Sequence, residues 1–504
     1  MPGAKTKNTA KDFALTTLLT LIEDYHSFNP ETTVPTYAYP TYLEFSQQIA
    51  RGRPCVYRLD RSVLDDDDDV RNGSGEVEAK GESCNGSEED PKPPASDSVK
   101  RRRLRQEQRS VLSAPCFRWT KKSLCELVPD EVEVAVTPDG RADALYSLPR
   151  RGKRPDAVEG GSGEDQGNGK VGDRGVEREM RDLAQKGMSG HEEEGEETET
   201  ETEQVFLQPA TTQMTLASLI DKLCPPQPSS QTILPTTTND PVYYLQSQNS
   251  NLHTPPLSSL LHALPRGPPP FSANVLGAPE AVNIWIGNAR SVTSTHRDPY
   301  ENLYLVVKGR KRFVLYSPVE EVCLHAQRVR TGRWEVVSEG DDDDDQPPRC
   351  RKRDRGMRDG NGDGGDGQGQ QGRKKGQFRI VMDDDAEKDW VLDDDQDTTN
   401  CIPWIPIDPL APPPAPSTRY PYYKHARPLT VTVSEGEILY LPAGWFHHVS
   451  QECGVWESDE GDGGESVVAP CIAVNYWFDM DYSGEKHVMR EMVGRLVEKT
   501  RTND

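Results

Sequence analysis

The residues with most chemistry to offer lie in Ser294-Thr295-His296-Arg297-Asp298 and in Leu441-Pro442-Ala443-Gly444-Trp445-Phe446-His447-His448. In extended chain, side chains at i and i+2 share a face, so His296 and Asp298 aim an imidazole and a carboxylate at one point while Arg297 points away. Two ligands do not fix a metal; the second segment offers His447 as a third, with His448 projecting to the opposite face. Two imidazoles and one carboxylate on one side of a divalent ion leave its other positions open, the arrangement of non-haem Fe(II) oxygenases. H-x-D alone is a weak signal, because a histidine on a strand is more often a core or surface residue.

An oxygenase of this kind also needs an anchored co-substrate, and Thr293, Asn302, Tyr304 and Lys311 surround the H-x-D. Lys311 has two readings. Inside a barrel its ammonium is costly unless paired, and a dicarboxylate such as 2-oxoglutarate supplies the anion, with the hydroxyls of Tyr304 and Thr293 adding hydrogen bonds. On an exposed edge with Lys308, Arg310 and Arg312 it is part of one basic turn in water.

Strands must position these groups. Val282 to Ile286, Leu303 to Val307, Arg312 to Tyr316, Leu429 to Val433, Glu437 to Leu441 and Ile472 to Phe478 are rich in β-branched, aromatic and Leu residues. Lys308-Gly309-Arg310 and Ser434-Glu435-Gly436 read as turns joining successive strands into hairpins, which places Lys311 on a strand pairing with Leu303 to Val307. Such a series implies an antiparallel sandwich or barrel. Helical spacing falls upstream, at 11–27, 40–51, 120–128 and 215–224, the last capped by Thr215.

The whole chain has 504 residues, 59 Lys+Arg against 83 Asp+Glu, and a formal net charge of −24. That acidity argues against a nucleic-acid partner, whose phosphates this surface would repel. No apolar run approaches the roughly 18 residues of a membrane span. With 34% hydrophobic residues, 41 Gly and 41 Pro, the chain is too polar for one uniformly packed globule, and its aromatic residues are too many for a disordered one. A folded core broken by disordered polar insertions at 64–112, 150–203, 338–399 and 454–467 satisfies both. The ten cysteines are scattered without a C-x-x-C pair, which indicates neither a zinc ribbon nor a disulfide framework, and a reducing, cytoplasmic setting is the default. The basic clusters Lys100 to Arg105 and Arg349 to Arg355 read either as nuclear import signals or as solvated loop charge. Lys5, Lys7 and Lys11 precede the apolar Ala14 to Ile22, but Leu15, Leu18, Leu19 and Ile22 fall at helical spacing, so an amphipathic helix is expected rather than a signal peptide.

Val282 to Pro318, the segment Trp404-Ile405-Pro406-Ile407-Asp408-Pro409-Leu410-Ala411-Pro412, Leu439 to Val449 and Ile472 to Asp479 together resemble the jumonji-C 2-oxoglutarate oxygenases, and within them the lysyl hydroxylase type. Gly52-Arg53-Pro54-Cys55 and the run Val134 to Asp143 carry the same likeness upstream; the insertions carry none of it. The resemblance implies a mainly β fold with helices: a double-stranded β-helix (jelly-roll or cupin) barrel over 281–480, an N-terminal helical and strand part over 1–280, and a C-terminal helix in 481–504. It implies Fe(II) on His296, Asp298 and His447, with O2, and 2-oxoglutarate against Lys311, Tyr304, Thr293, Asn302 and Asn475. It further implies a protein substrate hydroxylated on lysine, in the family case a developmentally regulated GTP-binding protein, and a homodimer formed through helices. A lysine needs acidic groups near the barrel mouth, for which Asp139 and Asp143 are the candidates against a plain turn role in Pro138-Asp139-Gly140. Arg297 and Pro299 depart from the type, where Lys and His are expected; neither is a ligand position. Two other classes compete: a divalent-metal protease acting on protein tails, and a non-catalytic module on the same barrel.

Overall fold

The protein, represented by a computed structural model, is described at residues 3–65, 95–149, 202–225, 240–246, 250–337, 377–383, 401–457 and 467–501. It divides into two compact units, one of Met1–Leu145 with Phe206–Asp504 and one of Tyr146–Val205, the described residues of the second being extended. The first unit carries the site.

Its N-terminal part runs α1 (Gly3–Phe28), β1 (Thr36–Ala38), α2 (Tyr42–Arg51), β2 (Cys55–Arg58), α3 (Ala95–Leu112), α4 (Lys121–Leu127), β3 (Glu131–Thr137), β4 (Arg141–Ala142), β5 (Ala210–Thr215), α5 (Leu216–Leu223), β6 (Val242–Tyr244) and α6 (Pro270–Leu276). Local chemistry sets these limits. Thr41 and Glu44 cap the start of α2 reciprocally, and Gly52 ends it at φ 64, where a side chain would be strained. The carbonyl of Gly52 then accepts the indole N–H of Trp445 at 3.0 Å, tying this helix end to the turn before His447.

The barrel follows as β7 (Ala281–Gly287), β8 (Val292–Arg297), β9 (Tyr300–Lys308), β10 (Arg310–Tyr316), β11 (Gln327–Val337), β12 (Gln377–Met382), β13 (Cys401–Trp404), β14 (Leu429–Ser434), β15 (Glu437–Leu441), β16 (Phe446–Glu452) and β17 (Cys471–Asp479), closed by α7 (Glu485–Thr500). One sheet has the order β1-β2-β15-β9-β17-β7 and faces a second of order β14-β10-β16-β8-β4. This is the jelly-roll arrangement. Period-two alternation sorts the strands into layers. Leu303, Leu305 and Val307 pack outward on Phe45, Leu124 and Phe271, whereas Tyr304 and Val306 pack inward with Phe313, Leu315 and Leu439.

Two expectations need correction. The turns at Gly309 and Gly436 are not hairpins. β9 pairs with β15 and β17, and β10 with β14 and β16, so each turn carries the chain from one sheet to the other. A corner of this kind needs a tight left-handed step: Gly309 has φ 72, and a Cβ there would sit 2.4 Å from the carbonyl oxygen of Glu452. Second, the interval 64–112 was expected to be a disordered insertion, yet its last third is α3. Val111 and Leu112 are buried, Leu104 packs beside them, and Gln108 accepts a hydrogen bond from the Asp60 amide at 2.9 Å. Basic composition hid an apolar helix face. β12, similarly, lies inside the expected insertion 338–399; most of the four insertions falls outside the described residues.

Candidate metal centre and co-substrate pocket

His296 stands at the end of β8, directly opposite His447 on β16. A register shift between Thr293 and His296 lets residues three apart on β8 sit opposite Val449 and His447, two apart on β16. Such a bulge re-aims side chains, and here it keeps Thr293 and His296 on the same side. Asp298 follows in the loop, its carbonyl accepting the Gly444 amide at 2.8 Å, which locks the H-x-D segment to the turn preceding His447.

The donor atoms of His296, Asp298 and His447 lie within 4.8 Å of one another. Asp298 Oδ1 is 3.8 Å from His296 Nε2 and its Oδ2 is 3.6 Å from His447 Nε2, too long for hydrogen bonds. The three groups converge without satisfying each other. Their outer nitrogens explain the orientation. His296 Nδ1 is 2.8 Å from the Ser294 carbonyl and His447 Nδ1 is 3.2 Å from the Trp445 carbonyl. A carbonyl only accepts, so both rings carry the Nδ1 proton and turn an Nε2 lone pair inward, as metal-binding histidines do. Burial first, then the neighbouring His296, pushes the His447 pKa down to about 4, so that ring is neutral at physiological pH. His448 projects to the other face, toward Asp408 at 3.9 Å.

From His447 the inward positions of β16 run through Val449 to Gln451, about 13 Å along the strand. Lys311 lies opposite Gln451 on β10 and is fully buried. Its ammonium donates to the Tyr244 hydroxyl at 3.1 Å and to the side-chain oxygen of Gln451, and it lies over the Tyr244 ring at 5.2 Å and the Tyr304 ring at 6.0 Å. Among the described residues no carboxylate forms an ion pair with it. The Gln451 amide nitrogen beside it is buried without a hydrogen-bond partner. A buried cation and an unused N–H donor define a cradle for an anion. Space is left for it deliberately: a Cβ on Gly287 would fall 2.2 Å from the Gln451 amide nitrogen and 2.7 Å from the Tyr244 ring.

The other expected residues line the same interior. Asn302 and Asn475 are buried, joined at 3.3 Å, with Asn475 also accepting the Trp285 indole N–H at 2.9 Å. Tyr304 packs edge-on to Phe313, and burial pushes its hydroxyl well above the usual range, leaving a neutral donor. Thr293 is half-buried opposite Val449. The metal end is open and the lysine end closed: His296 and Asp298 side chains are 22% and 21% exposed, Lys311 not at all. The donor set and the anion cradle fit Fe(II) and a keto-diacid respectively.

The two candidate substrate aspartates part company: Asp143 follows Ala142, which sits opposite Thr293, while Asp139 precedes Gly140 beside Arg290, away from His296. Asp139 is engaged by Arg141 at 2.7 Å. Asp143, at φ 52, is half-buried, reached by Gln246 at 3.4 Å, with its carbonyl held by the Ser294 hydroxyl. Burial raises its carboxyl pKa, against the pull of nearby His296. Trp404, from β13, stacks over the His296 ring at 6.5 Å and 3°. Tyr244, Gln451 and Gly287 were missed from sequence. Only Gln451 left a signal, the alternation His447, Val449, Gln451 on one strand face.

A family model described as a cupin-like domain matches residues 114–484. Over 242 residues, 48% of this chain and 54% of the relative, it is 35% identical to a bifunctional peptidase and (3S)-lysyl hydroxylase, JMJD7, of Homo sapiens. A JmjC domain-containing protein E of Dictyostelium discoideum is 30% identical over 252 residues, 48% of this chain and 55% of that one. A lysine-specific demethylase, JMJ32, of Arabidopsis thaliana is 30% identical over 246 residues, 48% and 53%. The chain thus spans about half the length of the curated relatives it matches.

Proposed function

The chain belongs to the cupin-like family, in its jumonji-C branch of oxygenases that use Fe(II), 2-oxoglutarate and O2, and on that premise we propose that it hydroxylates a lysine side chain of a protein. The reading rests on one observation above the rest: an ammonium buried completely, Lys311, held only by neutral groups at the closed end of a barrel whose open end gathers two imidazoles and a carboxylate. A hydrolase needs the metal end alone; the lysine cradle has a purpose only with an anionic co-substrate.

When bound, iron and 2-oxoglutarate supply the oxidising chemistry, turning a C–H bond into an alcohol as O2 and 2-oxoglutarate become succinate and carbon dioxide. The chain's part is placement. His296, His447 and Asp298 hold the ion. Lys311, Gln451 and the Tyr304 hydroxyl take the distal carboxylate, with Thr293, Asn302 and Asn475 along the pocket. Trp404 lies beside His296 at the mouth, its ring parallel to the imidazole. Asp143, half-buried and close to His296, is suited to receive the ammonium of a substrate lysine. The likeness to a lysyl hydroxylase favours a protein substrate, and a developmentally regulated GTP-binding protein is the first to try.

The test is succinate formation from 2-oxoglutarate in the presence of iron, with and without a lysyl peptide. Peptide-stimulated succinate is expected, and Lys311→Met should raise the KM for 2-oxoglutarate about ten- to a hundredfold, the worth of a charge-assisted hydrogen bond of about 1.5–3 kcal/mol. Peptide shortening without 2-oxoglutarate would favour the protease, and neither product a binding module.

A further inference from the structure

The turn between β15 and β16 delivers His447, and its ladder support runs out just before it. Leu441 opposite Asn302 is the final pair of β15 with β9, so the amides of residues 443–445 need partners elsewhere. The Trp445 amide closes the turn on the Pro442 carbonyl at 3.3 Å, and the Gly444 amide reaches the Asp298 carbonyl at 2.8 Å. The Ala443 amide, in a completely buried residue, donates to Glu301 Oε2 at 3.4 Å. The same oxygen accepts the Tyr440 hydroxyl at 2.7 Å. Glu301 stands three residues after Asp298, on the outward face of β9 that carries Leu303 and Leu305, and is only 7% exposed. Among the described residues no cation forms an ion pair with it. Lys486 of α7 lies near enough to feel its charge, but donates its ammonium to the Ile49 carbonyl. Burying a carboxylate away from a counter-ion is costly, and this one is spent on a single hydroxyl and a single turn amide.

We propose that Glu301 is a positioning residue for the metal ligands, setting the approach of Asp298 to His447 from behind the site; this rests on the metal-centre reading. Asp298 and His447 come from segments far apart in the chain, and two side-by-side clasps join those segments outside the ladder: the Asp298 carbonyl to the Gly444 amide, and the Glu301 carboxylate to the Ala443 amide. Tyr440 holds the carboxylate in place at the end of β15, so that β9, β15 and the turn move as one piece. The Trp445 indole, bonded to the Gly52 carbonyl, anchors the far side of the same turn. Without the Glu301 acceptor the Ala443 amide is left buried and unpaired, and the turn shifts to find a partner. A shift there displaces the Gly444 amide from Asp298 and the start of β16 with it, and the donor atoms that now lie within 4.8 Å of one another separate. A metal ion then has to restore the geometry at the expense of its own affinity.

The full chain, freed of metal with EDTA and dialysed, should be titrated with Co(II) and followed by its visible absorption. Glu301→Met, which keeps the bulk and removes the acceptor, should weaken Co(II) binding about tenfold, the low end of what outer partners of metal ligands contribute. Glu301→Gln keeps a side-chain oxygen for Tyr440 and Ala443 and should bind close to wild type. Leu18→Ala, destabilised at a distance, should bind as wild type does, which separates positioning from a general loss of stability. Unaltered Co(II) affinity in folded Glu301→Met, or a Glu301→Gln no tighter than Glu301→Met, would overturn the proposal. A wild type that binds no Co(II) would overturn the metal centre as well. Hydrogen exchange on the metal-free wild type decides the matter even if the variants fail to fold: the peptide spanning residues 442–446 should be protected before any metal is added, and exchange there as fast as in exposed loops would contradict the clasp.

Discussion

Lys311 shows how far single residues could be read. Its sequence left two environments open, a barrel interior or a basic edge, because Lys308, Arg310 and Arg312 surround it. Burial decides for the interior, and its partners Tyr244 and Gln451 come from strands that local spacing cannot connect to it. The metal triad was more legible, since H-x-D and the later histidine carry their own geometry. Asp139 and Asp143 illustrate the limit, four residues apart in sequence but with different partners. Two predictions belong at this scale. Gly287→Ala pushes a methyl into Gln451 and Tyr244, and should raise the KM for 2-oxoglutarate while leaving that for peptide unchanged. Asp143→Asn should do the reverse, raising the peptide KM about tenfold by removing one exposed-side charge contact, with 2-oxoglutarate turnover in the absence of peptide unaltered.

At the level of elements, strand positions were readable from composition and strand partners were not. Leu303 to Val307 and Arg312 to Tyr316 lie either side of a glycine turn in any hairpin, and only long-range pairing shows that they belong to opposite sheets. The short helical segment Pro318–Leu324 carries a titration that tests the packing of α1. Glu320 is buried there, hydrogen-bonded to His26 at 3.0 Å and accepting from the Arg427 amide at 2.6 Å and from the Ser317 amide at 2.8 Å. Burial pushes its carboxyl up to about 7, against those two amides. Between the ordinary carboxyl range and about 7 the folded protein keeps a proton that the unfolded chain has released. Stability from this group therefore falls as pH rises through that window and is flat above it. His26, pushed down by burial, acts in the opposite sense below its ordinary value: folding excludes the proton that the unfolded imidazole binds. Comparing thermal midpoints of wild type and Glu320→Gln isolates the glutamate, and the wild-type margin should shrink from pH 5 to pH 8.

Over the whole molecule, composition separated a packed core from polar intervals but misplaced a boundary. α3 was invisible because six basic side chains between Lys100 and Arg109 outweigh Leu104, Val111 and Leu112 in any local average. The terminal helices close the first unit around the short helix Pro318–Leu324, with Leu18 and Ile22 of α1 and Val497 of α7 buried on Val322 and Cys323. Leu18→Ala should cost about 2–5 kcal/mol of stability, seen as a lower thermal midpoint, since a fully buried leucine leaves a cavity. That loss should leave the KM for 2-oxoglutarate unchanged at temperatures where the variant is folded. The proposed reaction is identified by its product. Mass spectrometry of lysyl peptides incubated with the full chain, Fe(II) and 2-oxoglutarate should show one oxygen added to a lysine, absent when 2-oxoglutarate is withheld. A peptide that returns cleaved, demethylated or unchanged while 2-oxoglutarate is present would contradict lysyl hydroxylation.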